Sequence, residues 1–293
     1  MKKFSTLVLC GVLALIGCSN TTTAPELNAP PAVSEPAESG LSDPFTMTGG
    51  DLLANASPET SALAFYVYDG ETVTQRYLFE AEETERLLGV LSAVSLSEAA
   101  DWSPADLTLP VYGIEIGGKD GSTVQGAWSN GTWIAQDGTA YGFDFDLSAF
   151  ETGYSWAEPT TWETTTILPC ARFLAQAVDG WQTEWMTPSA RLVAPEGITA
   201  ALLEQVDGAL TIEFANHSGA EWTYGEAYSL QVLLDGVWYC VPELPGNWAF
   251  NSIAYVLEDG GTAERTYSLA PYGELPAGNY RLETEGLTVK FTI

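Results

Sequence analysis

The sequence predicts an α+β N-terminal domain, an antiparallel meander with two helices, followed by an all-β sandwich. Three observations lead there. Hydrophobic residues are 46% and aromatic residues 12% of 293, enough for a buried core rather than a disordered chain. Asp-Gly pairs at 69–70, 120–121, 137–138, 179–180, 207–208, 235–236 and 259–260, with Asn130-Gly131, punctuate short apolar runs. These dipeptides supply the positive φ angles of tight hairpins, so they should join antiparallel strands. No phosphate-cradling glycine pattern, GxGxxG or GxxxxGKS/T, is present, which argues against a parallel nucleotide-binding sheet.

In chain order, the first element is a short address. Lys2 and Lys3 precede an apolar run from Leu7 to Ile16. A run of about ten residues is too short for a hydrocarbon core of about 30 Å. It ends in Leu15-Ile16-Gly17-Cys18, which resembles the lipobox of bacterial surface lipoproteins. The resemblance implies that residues 1–17 are a lipoprotein signal peptide and that Cys18 becomes the lipidated N-terminus. It further implies a protein outside the cytoplasm, anchored to the bacterial cell membrane through that lipid only. Two acyl chains suffice for stable anchoring, where one is marginal.

Residues 18–49 are expected to form a Pro/Thr/Ser/Glu-rich linker, with Pro25, Pro30, Pro31, Pro36 and Pro44 and too few aliphatic residues for a core. In polyproline II form such a spacer reaches roughly 3 Å per residue, so it holds the folded part well clear of a bilayer.

Residues 50–187 are expected to form the α+β domain. Ala62–Tyr68 and Thr72–Phe79 flank Asp69-Gly70 as a hairpin. Glu80–Val94 reads as a helix, its first-turn glutamates complementing the helix dipole. Strands follow near 110–117, 122–128, 132–136 and 140–146. A second helix is expected from Leu168 to Val178, with Pro169 early, where a missing N–H costs nothing. In a two-residue loop at 130–131, Ser129 pairs with Thr132 and Trp128 faces Trp133. That face has two readings. It is an aromatic platform that stacks on sugar rings, with Tyr141 beside it and Asp144 or Asp146 bonding hydroxyls, or it is a core face under a helix.

Residues 188–293 have short strands with turn signals every 8–12 residues, the pattern of a β-sandwich. Leu275-Pro-Ala-Gly278-Asn-Tyr280-Arg281 has the spacing of a tyrosine corner, with Leu282 where antibody domains carry a cysteine. Trp238 is the expected large residue between the sheets. Together with Tyr224-Gly225-x-x-Tyr228-x-Leu230 and Gly236-x-Trp238-Tyr239-x-Val241-Pro242, this segment resembles a family of bacterial Ig-like domains found at the C-terminal end of cell-surface lipoproteins. Gln231 departs from the acidic residue expected there. The resemblance implies an Ig-like sandwich on the cell exterior and no catalytic residues.

Chemistry is sparse. Ten basic against 39 acidic residues give a net charge of −29, which excludes a nucleic-acid partner because phosphate contacts need clustered Lys and Arg. The one histidine, His217, sits in a turn sequence without a nucleophile elbow. Cys170 and Cys240 read as buried free thiols, with an interdomain disulfide as the alternative. Asn55, Asn130 and Asn216, in Asn-x-Ser/Thr contexts, read as turn and cap residues. No metal site and no cofactor are expected. The expectation is therefore a non-enzymatic binding module whose partner is a cell-wall polymer or a surface protein. The alternative is a wall-associated glycan hydrolase using paired carboxylates in the N-terminal domain, which needs two acids about 5–10 Å apart in a cleft.

Overall fold

The computed structural model describes residues 46–99, 102–129, 131–145, 153–177, 180–190, 192–246 and 248–293. The signal segment, Cys18 and the linker up to residue 45, as well as Asn130 and Asp146, lie outside the described residues. Pro44–Ile293 clusters as one compact unit.

The first half is built on an eight-stranded antiparallel sheet. Its strands are β1 (Leu63–Tyr68), β2 (Val73–Leu78), β3 (Leu96–Glu98), β4 (Val111–Gly117), β5 (Thr123–Ser129), β6 (Thr132–Ala135), β7 (Ala140–Phe143) and β8 (Thr160–Trp162). They lie in the order β3-β7-β6-β5-β4-β1-β2-β8. β1, near the middle, is buried at five of six positions, as a strand covered on both faces must be. A four-residue helix, α1 (Gly49–Leu52), and the longer α2 (Ala81–Ser92) lie on one face. α2 buries Thr84, Leu87, Leu88 and Leu91, the i, i+3, i+4, i+7 stripe of an amphipathic helix. That stripe packs with Leu63, Phe65, Ile114, Trp128, Trp133 and Phe143 into one core.

The second helix is shorter than its sequence suggests. Only α3 (Ala171–Ala175) is helical, and the chain then enters a small hairpin, β9 (Gln176–Ala177) with β10 (Gly180–Trp181). Cys170, at φ 58°, is the N-cap, so Pro169 precedes the helix instead of starting it. The Pro169 ring occupies the space a Cβ would need at Gly113, 2.8 Å away. Close packing of this corner on the sheet overrides the helical propensity of Leu168–Val178.

The C-terminal half is a sandwich. β11 (Ile198–Val206), β12 (Ala209–Asn216) and β17 (Thr262–Ser268) form one sheet, and β13 (Trp222–Tyr224) pairs with β16 (Tyr255–Leu257). β14 (Ser229–Leu234), β15 (Val237–Cys240), β18 (Asn279–Thr284) and β19 (Leu287–Thr292) form the other, in the order β15-β14-β18-β19. Strict alternation sends Leu210, Ile212 and Phe214 of β12 inward against Leu230, Val232, Tyr280 and Leu282. The tyrosine corner is present: Tyr280 donates its hydroxyl to the Pro276 carbonyl at 2.6 Å. Trp238, by contrast, is not between the sheets. It lies half-buried on the outer face, with the Arg281 guanidinium 4.4 Å and the Lys290 ammonium 5.9 Å from its ring centre. The inner positions are filled by Phe214 and Tyr280 instead.

One continuous core runs from the second face of the large sheet, through Leu168–Ala175 and Trp185, into the sandwich. Arg172, 3% exposed, crosses this junction. It donates from Nε to the Tyr272 carbonyl (2.9 Å) and from Nη2 to the Glu274 carbonyl (2.7 Å), and it lies over the Trp181 ring. The Trp181 indole N–H donates in turn to the Tyr280 hydroxyl at 3.1 Å.

Candidate functional site

β5 and β6 pair as expected, Ser129 opposite Thr132 and Trp128 opposite Trp133. The two rings, 5.3 Å apart, are 1% and 0% exposed in the core beneath α2. A buried indole offers no face to a sugar ring, so the platform reading is corrected to the core-face one. Tyr141 is half-buried against the same core, and Asp144 is exposed beyond the end of β7. They do not converge on a site with the tryptophans. Cys170 and Cys240 are free thiols, the first buried and the second half-buried.

Two concave regions, one on the C-terminal half and one between it and the large sheet, share Tyr228 and Trp248. The larger, about 640 Å³, is an aromatic groove. Its residues come from the loop between β13 and β14, the loop between β15 and β16, the start of β16, and β17 with the turn that follows it. Trp248 and Phe250 are 45% and 41% exposed there. The Trp248 ring is oriented by its N–H, which donates to the Leu244 carbonyl at 2.7 Å. Phe250 meets the Tyr228 ring edge-on at 5.1 Å, and Tyr228 is itself tied to the Ser268 carbonyl. On the far side the Arg265 guanidinium covers the Tyr255 ring at 3.6 Å, while its buried Nε has no hydrogen-bond partner. Glu226 accepts from the Tyr255 hydroxyl and from Asn251 Nδ2 (3.1 Å), and the Tyr255 bond holds its carboxyl below the usual range. Rings fixed by such bonds need little ordering when a partner docks.

The smaller region, about 400 Å³, is a cleft between the large sheet and the sandwich. Glu115 on β4 and its neighbour Gln125 on β5 form its floor. Gln125 Nε2 donates to Glu115 at 2.7 Å, and Gln125 Oε1 accepts from the Cys170 N–H at 3.2 Å, which fixes the amide orientation. Glu243 and Trp248 belong to the opposite wall, with Tyr272 beside them. Burial pushes the carboxyl pKa values of Glu115 and Glu243 up, because the charged form loses water. Among the described residues, no group of three or more His, Cys, Asp or Glu is placed to hold a metal ion, and no helix is long and apolar enough to cross a membrane.

Sequence reasoning missed both regions. Their signal was the fourteen-residue stretch between β15 and β16, Val241–Ala254, which lacks strand alternation yet carries Trp248, Phe250 and Ile253 exposed. A long irregular loop bearing exposed aromatics on a rigid scaffold is where binding surfaces concentrate.

Residues 200–291 match the family model of the bacterial Ig-like domain. No curated protein and no solved structure matches the chain. The C-terminal module is thus a bacterial Ig-like domain, a type of surface or interaction module that is typically extracellular.

Proposed function

We propose that the protein is a non-enzymatic, extracytoplasmic interaction module, anchored to the bacterial membrane by a lipid on Cys18. Its Ig-like domain meets a cell-wall polymer or a surface protein. The observation that carries this reading is the Ig-like domain itself, because it exposes a preformed aromatic groove at Trp248 and Phe250. The Leu15-Ile16-Gly17-Cys18 sequence supports the anchor, and the proline-rich linker supports a reach away from the bilayer. Fed an alkyne fatty acid, cells expressing the full chain should yield a labelled, membrane-associated protein. Cys18→Ser should abolish the label and move the protein to the soluble fraction. Unchanged labelling of that variant counts against the anchor.

One observation favours the hydrolase alternative: Glu115 is an acid of raised pKa in a cleft, the property a general acid needs. It predicts release of soluble fragments from purified wall material and loss of that release in Glu115→Gln.

A further inference from the structure

We propose that the aromatic groove of the Ig-like domain binds a neutral glycan, a β-1,4-linked pyranose chain stacked on Trp248 and Phe250. This rests on the reading of the domain as an interaction module and names the chemistry of its partner.

Trp248 and Phe250, two residues apart in the loop after β15, are 45% and 41% exposed in one groove of about 640 Å³, a volume in the range of ligand sites. Both rings are fixed. The Trp248 indole N–H bonds the Leu244 carbonyl, and its ring lies so close over Gly246 that a Cβ there would be 3.1 Å from Nε1. Phe250 is held edge-on by Tyr228. Apolar faces that are open to water and already in place suit the C–H face of a pyranose, which stacks on them without ordering the site. A β-1,4-linked chain is extended and shows such faces along its length, so neighbouring sugars can meet both rings.

The hydrogen-bonding groups suit the same ligand. A peptide chain in an aromatic groove is read by ring N–H and O–H donors on its carbonyls, and here those donors are taken. The indole proton goes to Leu244, the Tyr228 hydroxyl to the Ser268 carbonyl and the Tyr255 hydroxyl to Glu226. Acceptors remain. Glu226 is anchored through both oxygens, Oε1 to Tyr255 and Oε2 to Asn251, and a carboxylate with about four lone-pair sites keeps capacity for more. A glycan brings what the groove lacks, hydroxyl donors on most of its ring carbons.

Charge narrows the partner further. Among the described residues that line the groove, Glu226, Glu264 and Arg265 are charged. The Tyr255 hydroxyl holds the Glu226 carboxyl below its usual range and Arg265 helps, so Glu226 and Arg265 offset one another. Glu264 is exposed, where water and salt screen it. A cationic partner therefore finds no unpaired buried charge to complete, and a net charge of −29 repels an anionic polymer. A neutral, hydroxyl-rich chain meets neither penalty.

Isothermal titration of the full chain, in a detergent without a sugar headgroup, tests this with chitotetraose and cellotetraose. At least one should saturate one site per chain, with an affinity unchanged between about 50 and about 500 mM NaCl. Trp248→Ala and Phe250→Ala should each weaken binding about tenfold or more. Trp162→Ala, which removes a tryptophan 40% exposed on β8, should leave it unaltered. No saturation by either sugar at about 5 mM, where even a millimolar site is mostly filled, overturns the proposal. So does sugar binding that both aromatic substitutions leave unaltered. Salt-sensitive binding of oligolysine that needs Trp248, in place of the sugars, overturns it in favour of a cationic peptide. A protein adduct from a photocrosslinker at position 248 in intact cells, with no sugar binding, overturns the glycan and leaves the interaction module standing. The absence of both sugar binding and any adduct overturns the two together.

Discussion

At the scale of single residues, polar groups that look functional in sequence divide into clamps and site residues once their partners are known. Asn216, fully buried, donates to the Ala220 and Leu257 carbonyls and accepts from the N–H and hydroxyl of Ser218. Asn55 likewise donates to Asp120 and Ser122. The turn role of Asn216 was legible, because a short amide side chain beside Ser bonds local backbone. The Asn55 amide instead reaches side chains of a distant hairpin turn that its own neighbours in sequence do not announce. Glu115 was not legible. Nothing in Gly113-Ile-Glu-Ile-Gly117 says that the sandwich will close over the strand and take water from one carboxyl group. That burial predicts a stability effect. The folded-state pKa is raised, so the stability linked to the protonated form is complete below the unfolded value, near 4.3, and is lost as pH rises through the folded one. Chemical denaturation of Glu115→Gln should therefore match the parent near pH 4 and exceed it near pH 8. Equal stability at both pH values would contradict the assignment.

At the scale of elements, hairpins are the most legible part of this chain. Every glycine of the eight Asp-Gly and Asn-Gly pairs has positive φ, and Asp207 and Asp235 do as well. Positive φ at both central residues of a two-residue loop matches the twist of the flanking strands. A third turn of this kind, Glu285-Gly286 between β18 and β19, carries no Asp or Asn signal in the sequence. It is also the most constrained, since a Cβ on Gly286 would lie 2.4 Å from the Val193 carbonyl oxygen. Gly286→Ala should cost about 2 kcal/mol or more, and Gly236→Ala, where no atom is near, about 1 kcal/mol. Urea denaturation of the two variants checks the order. The strands of the meander and α2 were equally readable from period and charge. α3 was not, because the corner at Pro169 and Cys170 answers to packing on Gly113 rather than to local preference. The orientation of the sheet was also hidden. Strand alternation sorts Trp128 and Trp133 onto one face but does not say that α2 covers it.

At the scale of the whole molecule, the two halves differ in kind yet share a core, which the sequence pattern alone does not reveal. Arg172 fastens α3 to the Tyr272–Glu274 turn, and Trp181 bonds the tyrosine of the corner motif. The segment Thr187–Ser189 adds two backbone hydrogen bonds to β15, shielding an otherwise open sheet edge. Calorimetry should accordingly show one cooperative transition for the folded part. Arg172→Ala, which strands two carbonyls and opens a buried site, should lower stability by about 3 kcal/mol and separate the halves into two transitions. Two transitions in the parent protein would contradict the shared core. This rigidity bears on function. The groove around Trp248 is presented by a single body, which suits capture of a partner without reordering of the surface. The most direct test of that account is photocrosslinking in intact cells, from a probe at position 248 and from a control at the exposed Glu204 of β11. A covalent adduct with a wall polymer or surface protein is expected from position 248 and none from 204. No adduct at 248, or equal adducts at both positions, would contradict it.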